Sequence, residues 1–102
     1  MNESFTHNQI FSRRLKEVRL AKGLSQKRLG ILAGIDEFVA STRINRYEKG
    51  VHQANIEVVQ QLSTVLEVPL AYFYTEDDEL ASLLLSWLKM DADTKKSILA
   101  LI

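Results

Sequence analysis

The chain is broken at only a few places, and what lies between the breaks repeats with a helical period. Pro69 is the single proline, and Gly23, Gly34 and Gly50 are three of only four glycines. Between them apolar residues recur three and four positions apart, and strand-like alternation is weak throughout. Such a chain must bury helical stripes against one another, so its fold class is all-α. With 102 residues it can build one real core. An apolar fraction of 46% with 25% charged residues places the body among globular chains.

The periodicity predicts a first helix from about Phe11 to Lys22, with Phe11, Leu15 and Val18 on one face and Gly23 as its stop. Residues 1–10 then read as a flexible arm containing His7, and no Lys or Arg precedes Arg13. Ser25 is an N-cap candidate for a second helix that turns Leu29 and Ala33 inward and closes at Gly34. A third helix includes Thr42 to Lys49 and ends at Gly50. Asn55 caps a fourth, whose apolar side is Val58, Val59, Leu62, Val65 and Leu66. Val68-Pro69 marks a boundary, because the residue before proline disfavours helical geometry. A short fifth turn, Leu70 to Tyr74, supplies Tyr72, Phe73 and Tyr74 to the core. The acidic run Glu76 to Glu79 suits the positive end of a sixth helix, and Asp93 would cap a last short one ending at Ile102. The division expected is residues 1–10 as arm, 11–74 as the main domain and 75–102 as a C-terminal helical extension.

Several classes of function drop out. The absence of cysteine removes disulfide scaffolds and thiolate metal sites. No apolar run approaches the ~18 residues of a membrane span, and the first residues lack a secretory pattern, so the expected location is cytoplasmic. His7 and His52 stand far apart without thiol partners, so neither a metal nor another cofactor is expected. Asp77, Asp78, Asp91 and Asp93 sit where helix caps belong, and Ser25 has no nearby base, so nothing points to an enzyme.

The charge is neutral overall but divided. Residues 1–50 hold ten Lys or Arg against five acids, and residues 51–102 hold three against eight. A basic half suits a polyanionic partner, although surface charge can also cluster by chance. The third helix sharpens the choice. At 100° per residue Ala40, Ile44 and Tyr47 share the core side, while Thr42, Asn45, Arg46 and Lys49 face away with Ser41 and Arg43 on the flanks. All six polar residues can hydrogen-bond, and none is acidic. Arg reads guanine, Asn reads adenine and Ser or Thr adapts to either, so this is a suitable major-groove face. An ordinary solvated helix face remains the alternative.

Helix, short break, helix, then a third helix closed by glycine is also the layout of a helix-turn-helix reader. RLKEVRLAKGLSQKRLGILAG (Arg14–Gly34), INRYEKG (Ile44–Gly50) and NIEVVQQLSTVLEVPLAYF (Asn55–Phe73) resemble the lambda-repressor-like, XRE-type helix-turn-helix transcription regulators. The resemblance implies a five-helix DNA-binding domain followed here by one or two additional helices, acting on double-stranded DNA. It implies base reading by Ser41, Thr42, Arg43 and Arg46, to which the helical wheel adds Asn45. It implies phosphate contacts from Gln26 and Lys27 at the start of the second helix, and from Lys49, His52 and Gln53 after the third. It further implies an ion pair between Arg19 and Glu48 that ties the first helix to the third.

Three features depart from the family pattern. IDEFVA, before the third helix, is longer than the usual turn. Within it Phe38 would point outward, and packing against Ile31 in a small local core is the economical expectation, ahead of a contact with DNA. Glu67 stands where a glycine is usual and would be strained in a left-handed conformation.

Residues 75–102 exceed the five-helix domain. Leu80, Leu83, Leu84, Trp87 and Leu88 form one stripe, and Ile98, Leu99, Leu101 and Ile102 make the end of the chain apolar. Such a segment either folds back over its own domain or joins two copies, and a homodimer through Leu80, Leu83, Leu84, Trp87, Leu88, Ile98 and Leu101 is the expectation. The function expected is a DNA-binding regulator, a repressor acting as a homodimer on a palindromic operator. The rival is a helical interaction module, such as a transcription adaptor or antitoxin, whose leucine stripe binds another protein.

Overall fold

A computed structural model describes residues 6–102, and among them the regular structure is entirely helical. The elements are α1 (His7–Ala21), α2 (Gln26–Leu32), α3 (Ala40–Glu48), α4 (Ile56–Leu66), a 3-10 turn (Leu70–Tyr74), α5 (Asp78–Trp87) and α6 (Ala92–Ala100). Most helices start on a side chain that accepts an otherwise orphaned backbone N–H. Ser25 accepts from Arg28, Asn55 from Val58, Asp77 from Leu80 and Asp91 from Thr94. Asp91 therefore caps the last helix in place of Asp93, which lies inside its first turn. The Thr94 N–H bond also holds the Asp91 carboxyl below the ordinary carboxylate range.

The first helix starts earlier than Phe11 because Thr6 and Gln9 form a reciprocal capping box. His7 to Ile10 are thus helical, and Ile10 is buried, so this part of the expected flexible arm is helix; residues 1–5 of that arm lie outside the described residues.

The core joins Phe11, Leu15 and Val18 of α1 to Leu29, Ala33, Ile44, Val59, Leu62 and Leu66. Tyr72 and Phe73 close it from the 3-10 turn, and the Phe73 ring lies 5.4 Å from that of Phe11. Tyr74 stacks on Phe11 at the margin. Burial pushes the Tyr72 hydroxyl above its ordinary pKa, as it does that of Tyr74. α4 ends at Glu67, which adopts φ 59° and ψ 47°, the left-handed geometry that Gly23 and Gly50 supply elsewhere without a side chain.

α5 rests on this body through a buried arginine. Arg14 Nε donates to the Thr75 carbonyl at 2.9 Å, and Nη2 donates to the Glu76 carbonyl and Asp78 Oδ1, each at 3.0 Å. The same guanidinium lies 5.7 Å from the centre of the Tyr72 ring. With the connector so held, Ala81 is buried and Leu84 and Leu85 pack against the core. The expected stripe is therefore divided: Leu84 faces the chain's own domain, while Leu80, Leu83 and Leu88 are exposed and Trp87 is half-buried. α6 buries none of its residues. Ile98 is half-buried, Leu99 is exposed, and Leu101 is 87% exposed.

Candidate nucleic-acid interface

α2 and α3 approach closely because Gly30, in the middle of α2, has no side chain. A Cβ built there would stand 2.7 Å from the Cβ of Ala40, well inside contact distance. Glycine costs a helix interior about 1 kcal/mol relative to alanine, so its presence is explained by this close approach. Ala40, Ile44 and Tyr47 are all buried, as the wheel of the third helix requires.

The far end of α3 is braced by charge. Arg19 Nε donates to Glu48 Oε2 at 2.6 Å, Nη2 donates to Oε1 at 3.1 Å, and Nη1 donates to the Leu24 carbonyl at 2.8 Å. The two side chains are 9% and 3% exposed, so this two-point pairing operates away from water. Gln26 Nε2 adds bonds to Glu48 Oε1 at 3.0 Å and Asn45 Oδ1 at 3.2 Å. Gln26, to which the family resemblance assigns a phosphate contact, is half-buried and braces α2 against α3. A third tie comes from the start of α1: the Ser12 hydroxyl donates to the Tyr47 carbonyl at 2.6 Å, and Asn8 Nδ2 donates to the Gly50 carbonyl at 3.2 Å. Sequence reasoning missed Gly30, Gln26 as a brace, and the Asn8 and Ser12 ties. Only Gly30 had left a local signal, as a glycine inside a helical pattern.

What this scaffold presents is a polar, cationic face. Ser41, Thr42 and Arg46 on α3 and Lys49 at its C-cap are exposed. Arg43 and Asn45 are half-buried, and Arg43 folds along its own helix: Nη2 donates to Tyr47 Oη at 2.6 Å, with the guanidinium 5.8 Å from the ring centre. Lys27 and Arg28 are exposed on α2, as are His52 and Gln53 in the following loop. Gln53 Nε2 and His7 Nε2 lie 2.8 Å apart, which ties the loop to α1. Among the described residues, no three His, Asp or Glu side chains come together in a way that could hold a metal.

The connector before α3 differs from expectation. Ile31 packs on the main core, but Phe38 is 87% exposed, so the two form no local core. The backbone makes a tight turn at this point. Asp36 Oδ1 accepts from the Phe38 N–H at 2.9 Å, the Asp36 carbonyl accepts from the Val39 N–H, and the turn carries the Phe38 ring outward.

Comparison with known proteins agrees with this geometry. The helix-turn-helix family model matches residues 15–73, which run from α1 through the 3-10 turn. Uncharacterized HTH-type transcriptional regulators of Sinorhizobium medicae (strain WSM419) and Rhizobium meliloti (strain 1021) are each 32% identical over 63 residues. Those matches cover 62% of this chain and 42% of each relative, so the chain spans less than half of their length. The crystal structure of the transcriptional regulator BswR superposes with a TM-score of 0.82 at 44% identity, covering 88% of this chain and 89% of that one. That likeness reaches beyond the matched family segment and takes in much of the C-terminal extension. The protein belongs to the helix-turn-helix family, of the XRE type.

Proposed function

We propose that the chain is a sequence-specific DNA-binding regulator of transcription. α3 enters the major groove, and a homodimer spans a palindromic operator. The observation that carries this is the exposed set Ser41, Thr42, Arg46 and Lys49 on a helix held from three sides. Arg46, Ser41 and Thr42 read base edges, and Arg43 and Asn45 join them once released from Tyr47 and Gln26. Lys27, Lys49, His52 and Gln53 flank this face and grip phosphates, with Gln26 held between the two helices. Occupying an operator in this way obstructs transcription, which makes the chain a repressor. The exposed leucines of α5 and α6 join two copies, since paired half-sites need paired reading helices. Those same leucines favour one rival, a module that uses them to bind a different protein.

The test is a fluorescence-anisotropy titration over a salt series, using a duplex enriched from a random pool. A specific winner with a steep salt slope is expected. Arg46→Ala should weaken the winner about 5- to 150-fold and relax preference at one base pair, as loss of 1–3 kcal/mol requires. If no duplex is enriched and Arg46→Ala changes nothing, the assignment of α3 fails and the interaction module stands.

A further inference from the structure

Phe38 lies two residues before α3 and is 87% exposed, the most exposed aromatic side chain among the described residues. A single exposed phenyl ring is ordinary on a protein surface, but beside a face read as DNA-binding it is an apolar group open to contact. Its position is constrained. The Asp36 carboxylate caps the Phe38 N–H, and the α3 ladder begins immediately after with Arg43 N–H bonding to the Val39 carbonyl at 2.9 Å. Phe38 therefore sits at the mouth of the reading helix, one turn before Thr42, and that is the end a helix-turn-helix protein pushes deepest into the groove. The outward α3 side chains close to it are hydroxyl, amide and cationic, with the γ-methyl of Thr42 their one small apolar group. In the major groove the only apolar mark is the C5-methyl group of thymine.

We infer that Phe38 is a specificity residue that reads a thymine methyl group at the edge of the half-site, adding an apolar contact to the polar code of Ser41, Thr42 and Arg46. The inference rests on the reading of α3 as the recognition helix. It gives the long connector a role: the extra residues carry an aromatic side chain to a place a short turn could not reach. Ile31 packs on the core and not on Phe38, so a contact of the ring with DNA does not require the fold to open.

The experiment replaces each thymine of the selected duplex, in turn, by deoxyuridine, which lacks only the methyl group. Binding is measured for the wild-type chain, Phe38→Ala and Arg46→Ala. For wild type, one thymine in each half-site should cost about fourfold in affinity when demethylated, the equivalent of one buried methyl-sized group. For Phe38→Ala that penalty should vanish, and for Arg46→Ala it should persist. Equal deoxyuridine penalties in wild type and Phe38→Ala, or none in either, would overturn the inference while leaving α3 as reader. A selected duplex without thymine near the half-site edge overturns it as well. Failure to enrich any duplex sinks the reading of α3, and the role of Phe38 with it. Because Phe38 is exposed, its substitution leaves the melting temperature in place, which separates a lost contact from a lost fold.

Discussion

α2–α3 and α5–α6 are both pairs of short helices joined by a few residues, and they are completed in opposite ways. α3 buries Ala40, Ile44 and Tyr47, touches Gly30 at backbone distance and ends on the Arg19–Glu48 pair. α6 buries nothing, and it reaches α5 through the Lys95 ammonium, 5.4 Å from the Trp87 ring centre. One pair is finished by its own chain. The other leaves Leu80, Leu83, Leu88, Leu99 and Leu101 exposed. Helices this short are marginal alone, so the contrast separates a pair completed by its own packing from one that leaves apolar surface over.

The largest effect should come from breaking the rigid pair at its charge. Arg19→Ala or Glu48→Ala strands a buried partner and should cost about 3–5 kcal/mol in chemical denaturation. A double-mutant cycle should show strong coupling, and negligible coupling would mean that packing alone holds α3. Gly30→Ala comes next. Helix propensity favours alanine by about 1 kcal/mol, but the 2.7 Å approach to Ala40 forces the helices apart, so a net loss of roughly 1–3 kcal/mol is expected. Melting midpoints decide the sign. DNA affinity should fall further than stability does, because α3 is displaced.

The smallest effect on the fold should come from the unfinished pair. Ending the chain after Met90 removes α6 and no buried residue, so the body should lose no more than about 0.5 kcal/mol. Ending it after Asp78 would also strip Ala81, Leu84 and Leu85 from the core and confound the result. Sedimentation of the Met90 truncation gives the sharper contrast: a monomer is expected, against the dimer proposed for the full chain. A dimer that persists would move the contact to the exposed leucines of α5.

Much of the α2–α3 pair was legible in the sequence because it depends on local rules. Glycine stops, caps and the wheel of α3 place Ala40, Ile44 and Tyr47 inward regardless of what surrounds them. The early start of α1 was legible too, in the Thr6–Gln9 capping pattern that hydrophobic periodicity overlooks. The fate of Phe38 was not, since whether it meets Ile31 depends on how a turn of four residues is directed. Nor was the inward face of α5. Beyond its acidic first turn, Asp78 and Glu79, that helix is polar only at Ser82 and Ser86, so its broad apolar surface does not single out Ala81, Leu84 and Leu85 as the inward residues. The Arg14 bonds to the 75–78 connector make the choice, and they span more than sixty positions of sequence.

Glu67 shows a different limit. Its side chain could be flagged as misplaced for a left-handed helix end, and the structure indeed gives it φ 59°. Lys22 approaches its carboxylate at 3.6 Å in a surface ion pair, worth little in water.

The Arg14 knot has a consequence for the geometry of the operator. It bolts the α5 connector to α1, the helix whose first turns and last cation also hold α3. Once a second copy covers the exposed leucines of α5 and α6, the pair would act as a caliper with fixed jaws rather than as two hands on a cord. Each base pair added between half-sites turns one of them by about 35° around the duplex axis, with about 10 base pairs per turn. Rigid jaws cannot follow that rotation, so one inserted base pair should abolish paired binding, and Arg14→Ala should restore part of it by loosening the joint.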